Sequence, residues 1–181
     1  MLPPAHIEFT WAVTDLVQKK LHRWKDVDFR LMALAAILPD LIDKPLAVFV
    51  FPESHAALLY AHTLILHIAA WAAAMKSPWK KVLLPYLLAF SGHLIGDRIW
   101  LFGQTFLYPF KGRKFLEWRN VGSVRDFGKA YADIVREEPI LVYFEIIGLV
   151  LLWVFAKENN LYEKRRLLEF LRTGRFLESE K

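Results

Sequence analysis

Among the ionisable side chains inside segments of this chain that are otherwise almost wholly apolar are His6, Asp40, Asp43, His62, His67, His93, Asp97 and Arg98. A charge in such surroundings is costly and normally faces a partner, a metal or a wet cavity. His93 and Asp97 stand four residues apart, a spacing that puts both on one helical face. That arrangement suits two ligands of one metal ion, or a ligand histidine oriented by a carboxylate. It equally suits a hydrogen bond closed on itself, or an Asp97 neutralised by the adjacent Arg98. The chain has no cysteine, so a metal would have to be held by imidazole and carboxylate. That donor set fits a divalent ion, zinc or manganese first, then iron or a dinuclear mixture. Such an ion polarises a phosphoryl or carbonyl oxygen and lowers the pKa of a bound water. A carboxylate not engaged with it, Asp43 or Asp97, could take the water's proton.

The elements that must position these residues are five apolar blocks. Residues 5–18 read as a short helix entered after Pro3 and Pro4. Residues 31–51 form a second block that Pro39 and Pro45 are expected to break. Residues 56–75, 82–103 and 139–156 are the remaining three. A membrane-spanning helix needs about 20 predominantly apolar residues. The third and fourth blocks meet that length and the last nearly does. The expectation is therefore an all-α, integral membrane bundle of about four to five helices over residues 1–156. A charged amphipathic tail, residues 157–181, follows it.

Composition supports that class. Hydrophobic residues make up 55% of the 181, which is too many for a soluble unit of this size to cover. The net charge of +5 is read as pairing with anionic lipid headgroups rather than with nucleic acid. No cleavable secretory signal is evident, because His6 and Glu8 interrupt the segment after Pro4. Basic clusters at Lys19, Lys20, Arg23 and Lys25, at Lys76, Lys80 and Lys81, and at Lys164, Arg165 and Arg166 mark connections on the cytoplasmic side. Alternating spans satisfy all three with an outside N-terminus in a multi-pass cell-membrane protein. Residues 107–138, with Lys111, Arg113, Lys114 and Arg119, disagree with this orientation; they are expected to pack at a membrane surface.

Depth then groups the polar residues. If the third and fourth blocks form an antiparallel hairpin about Pro78, His62 reflects beside Leu94, level with His93 and Asp97. His67 falls about one turn nearer the loop and reads as a helix-interior histidine bonded to a neighbour. The same topology brings His6, Asp40 and Asp43 to that layer. Purely structural roles are available for each: Asp40 as a cap after Pro39, Asp43 paired with Lys44, His6 as an interfacial residue. Six such roles coinciding at one depth is the less economical reading.

The segments AH at 5–6, LPDLIDKPL at 38–46, AHTL at 61–64, SGHLIGDRIW at 91–100 and QTFLYPF at 104–110 resemble the membrane-bound metal-dependent hydrolase family. Its bacterial members are described as inner-membrane, LexA-binding hydrolases. The resemblance covers roughly the first 110 residues and implies metal-site positions at His6, Asp40, Asp43, His62, His93 and Asp97. Many members also carry a histidine a few residues before the HTL-like block; here only His55 is near, at a different spacing.

The function expected from these readings is metal-dependent hydrolysis of a phosphate ester, carried by a lipid or another amphipathic substrate. Arg98, Lys111 and Arg113 are candidate phosphate contacts, with Lys114 beside them. Two alternatives stay open: a metal or proton pathway through the same cluster, or a scaffold in which the cluster only holds helices together.

Overall fold

In a computed structural model that describes residues 1–118 and 123–176, all regular structure among the described residues is helical. Arg119, used in the charge reading, and residues 177–181 of the tail lie outside the described residues. The helices are α1 (Pro3–Leu21), α2 (Phe29–Pro45), α3 (Leu64–Lys76), α4 (Lys80–Gly96), the short α5 (Gly103–Phe106), α6 (Val124–Glu137), α7 (Pro139–Glu158) and α8 (Lys164–Thr173).

Local chemistry explains most boundaries. Pro3 opens α1, where its missing N–H costs nothing, and His22 closes it in the left-handed region at φ 52°. Asp28 caps α2 by accepting from the Arg30 amide at 2.8 Å. The Arg30 guanidinium holds the Asp28 carboxyl below the usual carboxylate range. Contrary to expectation, Pro39 does not break α2. The helix runs through it to Pro45, and a π-helical turn at Leu46–Val50 follows.

A second correction concerns the third block. Residues 56–63 are not part of a long helix, and α3 begins only at Leu64, capped by Thr63, leaving 13 residues. The cause is Asp43, whose carboxylate accepts from the amides of Leu59 at 2.6 Å and Ala61 at 2.9 Å. Those donors are then lost to a helical ladder. The fourth block also shortens, to the 17 residues of α4. The last block grows instead, to the 20 residues of α7. Among the described residues α7 is the one helix long and apolar enough to cross a membrane.

Side-chain contacts fix the helix directions. The Leu2 amide donates to Glu145 at one end of α1 and α7, and Lys19 meets Glu158 at the other, so these two run parallel. Their close approach depends on Gly148, where a Cβ would lie 3.4 Å from Ala5 Cα and collide with the Glu8 carboxylate. Tyr86 in α4 accepts from the Asp28 amide at the start of α2, and the ends of both helices meet near His93, so α2 and α4 run together. They run opposite to α1, and α3 returns antiparallel to α4. The basic clusters at 19–25, 76–81 and 164–166 therefore gather at one end of the bundle and the His/Asp residues at the other.

The basic end is closed by rings. Phe29, Phe155 and Phe170 are buried together, with centroids 5.4–5.8 Å apart. Trp11 packs edge-on against Phe29 and Phe170 and donates its indole N–H to the Phe29 carbonyl at 2.7 Å. Phe170 belongs to α8, so the tail is packed onto the bundle over its described part.

Candidate metal centre

Asp40 and Asp43 come from the last turns of α2, His62 from the 3-10 turn before α3, His93 from the end of α4 and Asp97 from its C-cap. The spacing of three between Asp40 and Asp43 points both toward the segment 59–62. Four of these residues bring one ligand atom each into a single cluster: Asp40, His62, His93 and Asp97, with all four atoms within 4.8 Å of one another. His62 Nε2 lies 3.2 Å from His93 Nε2, 3.6 Å from Asp97 Oδ2 and 3.8 Å from Asp40 Oδ1. His93 Nε2 lies 3.2 Å from Asp97 Oδ2 and 3.7 Å from Asp40 Oδ1. Four ligands at about 2.0 Å from a tetrahedral ion would stand about 3.3 Å apart, so the cluster is close to that size before any adjustment.

The histidine tautomers follow from the outer partners. His93 Nδ1 is 2.7 Å from the Ala36 carbonyl, which can only accept, so Nδ1 carries the proton. His62 Nδ1 is 2.7 Å from Asp43 Oδ2. That carboxylate also accepts two amide hydrogens, so His62 Nδ1 is again the donor. In neutral rings both Nε2 atoms then present bare lone pairs to each other and to two carboxylate oxygens. Four acceptors facing one point then lack a donor between them, and a bound cation satisfies them, as would a proton on one Nε2. The group is buried, with Asp97 the most accessible at 12%.

The other sequence candidates are placed around this group. Asp43 lies outside the four atoms and acts on them through His62, with no side-chain exposure. Its carboxylate is occupied by three donors, the amides of Leu59 and Ala61 and the ring of His62. His6 Nε2 is 2.9 Å from Asp97 Oδ1, and its ring stacks on His93 at 4.0 Å. It thereby turns Asp97 Oδ2 toward the cluster. Gly96 makes room for this: a Cβ there would stand 2.8 Å from His6 Cε1. The Met1 amino group also reaches Asp97 Oδ1, at 2.7 Å. His67 stands apart, bonded to Ser91 and to the Ala61 carbonyl, each at 3.0 Å, and stacked on Phe90. His55 is exposed, away from the cluster, and its carbonyl receives the Trp118 amide.

Asp40 and Asp97 also line a cavity with Lys44, Arg98, Phe102, Tyr131 and Glu138. Arg98 donates to Glu138 Oε2 at 2.6 Å. Lys111 and Arg113, by contrast, are exposed on the loop after α5 and do not reach it. The sequence pairs Lys44 with its neighbour Asp43, whereas its partner is Asp40, and Tyr131 was not among the expected residues. The four-residue spacing of Asp40 and Lys44 was available as a signal, whereas nothing local to Tyr131 announces it. Burial and the nearby Asp40 push the Tyr131 phenol up to about 12, against the opposing pull of Lys44, so it stays protonated at neutral pH.

Comparison of the chain with family models, with curated proteins and with solved structures finds no match to any of them. The geometry thus defines the class by itself: an all-helical protein with a buried two-histidine, two-aspartate group able to hold a metal ion.

Proposed function

We propose that this chain is a membrane-embedded, metal-dependent hydrolase acting on a phosphate ester of a lipid or another amphipathic substrate. The observation that carries the reading is the convergence of two imidazole nitrogens and two carboxylate oxygens beside a cavity with both charged and apolar walls. A divalent ion there, with zinc best matched to two nitrogen and two oxygen donors, supplies Lewis acidity and an acidified water. His62, His93, Asp40 and Asp97 hold it, Asp43 fixes the ring of His62, and His6 fixes Asp97. Asp40 and Asp97 are the ligand carboxylates that also line the cavity. The five motif segments resembling membrane-bound metal-dependent hydrolases support the same reading.

Immersion in a membrane, by several passes, is supported by what the bundle leaves uncovered. Helix α7 is buried over only 17% of its apolar stretch, unlike the core helix of a soluble protein. Leu34, Leu41, Ile65, Ile68, Leu88 and Ile147, from four helices, are also exposed. The gathering of three basic clusters at the end opposite the His/Asp group supports a cytoplasmic basic end and a site in the outer layer. The ring cluster of Trp11, Phe29, Phe155 and Phe170 closes that basic end, which favours hydrolysis at one surface over a pathway through the bundle.

The test is phosphate release from phosphatidic acid in mixed detergent micelles. Activity is expected to vanish in chelator, to return with zinc, and to be absent from His93→Ala. Full activity of His93→Ala, or activity indifferent to chelator, refutes the proposal.

A further inference from the structure

We infer that Lys44, with Arg98 across the same cavity, recognises the phosphoryl group of an amphipathic phosphomonoester. The wall formed by Leu58, Phe102, Leu116, Ile134 and Leu141 takes its carbon chain. This rests on the reading of the four-atom group as a divalent-metal site.

Lys44 follows Asp40 by one helical turn, so both project from one face of α2. The Asp40 carboxylate is shared. Its Oδ1 faces His62 and His93, and its Oδ2 pairs with the Lys44 ammonium. Tyr131, from α6, sits beneath that ammonium, with the nitrogen 4.9 Å from the ring centroid. Lys44 is thereby held at the cavity wall next to the candidate metal ligands rather than extended into solvent.

The charges lining this cavity give Lys44 a purpose. Lys44, Arg98 and the Met1 amino group face three acids, Asp40, Asp97 and Glu138, so the walls are formally neutral. A divalent ion on Asp40 and Asp97 leaves a surplus of two positive charges. An anionic ligand is therefore attracted by the loaded cavity and not by the empty one. The ligand's geometry follows from the partners. Ion, ammonium and guanidinium are three separate cationic groups, and a phosphomonoester has three terminal oxygens to offer them. A carboxylate offers two. Apolar residues on the remaining wall require that the anion carry a hydrocarbon part.

The test uses the full chain in detergent micelles and three non-hydrolysable probes: hexadecylphosphonate, palmitate and methylphosphonate. Binding is followed by calorimetry and metal content by elemental analysis on the same samples. With zinc bound, hexadecylphosphonate is expected to bind about tenfold tighter than palmitate and about a hundredfold tighter than methylphosphonate. Removing zinc should cost about tenfold or more of the hexadecylphosphonate affinity. Lys44→Gln should lower that affinity about tenfold while keeping its zinc, and Lys44→Arg should recover most of it. Palmitate binding as tightly as the phosphonate overturns the phosphoryl assignment, and methylphosphonate binding as tightly as the long-chain probe overturns the apolar wall. Unchanged affinity in a zinc-loaded Lys44→Gln overturns the role of Lys44. Should that variant fail to fold, the three wild-type titrations decide the assignment alone. Wild-type protein that takes up no metal defeats the underlying metal-site reading instead, and elemental analysis separates the two failures.

Discussion

At the Asp97 end of the bundle, imidazoles and carboxylates crowd within 2.7–3.8 Å of one another. At the Asn159 end, Trp11, Phe29, Phe155 and Phe170 pack ring against ring with one indole hydrogen bond among them. The aromatic end gains chiefly from burial and does not depend on a charge state. The polar end is expensive to bury, and with neutral imidazoles its four inward atoms have no donor among them. The same helices build both ends, so the aromatic end contributes the stability against which the polar end can be held in its unfavourable arrangement. The division makes a prediction that either end could break. Damage at the rings should cost folding and leave metal chemistry intact, and damage at the histidines should do the reverse.

The largest effect belongs to the ligands. His62→Ala or His93→Ala is expected to abolish stoichiometric zinc binding, measured by elemental analysis, while the helical circular dichroism of the metal-free chain is retained. Next comes Phe155→Ala, expected to destabilise the fold by about 3–5 kcal/mol in chemical denaturation, with zinc uptake by the folded protein unchanged. A loss of zinc in that variant while it is still folded would erase the division between the ends. A smaller effect is expected from Asp43→Asn, which leaves every ligand in place but weakens the hold on His62. Zinc affinity should fall about 10–100-fold in competition with a chelating dye.

The smallest effect lies at the basic end. Asp28→Ala removes the cap of α2 and should cost about 1 kcal/mol at neutral pH. The hydrogen bond from Arg30 depresses the folded-state pKa of Asp28 below its unfolded value. Its contribution is therefore complete above an unfolded pKa of about 3.9 and disappears as pH falls through the lower folded value. The difference in thermal midpoint between wild type and Asp28→Ala should shrink accordingly on acidification below about pH 4.

Much of the polar end was legible before any coordinates, because histidine and aspartate are conspicuous in apolar blocks and their helical depths can be compared. His62 and His93 meet as the reflected hairpin implied, although His62 reaches the cluster from a 3-10 turn rather than a long helix. That difference was hidden because residues 56–63 are apolar enough to read as helix. The amides of Leu59 and Ala61 are instead claimed by Asp43, 16 and 18 positions away in sequence. The depth reading could also rank residues by layer but not by shell. It grouped His6 and Asp43 with the four inward atoms, and only side-chain directions place them behind Asp97 and His62. Among the candidate phosphate contacts, Arg98 reaches the cavity because it adjoins Asp97, while Lys111 and Arg113 stay on an exposed loop. Pro39 misled for a related reason: a proline inside a packed helix is tolerated when the surrounding contacts hold the turn.

Cobalt titration into the metal-free chain, followed by visible absorption, asks most directly whether the four atoms act together on one ion. Intense ligand-field bands of a tetrahedral site should grow and saturate at about one equivalent, and should be missing from His93→Ala. Weak, octahedral-type absorption without saturation, or bands that persist unchanged in His93→Ala, would show that the imidazoles and carboxylates answer to one another and not to a metal.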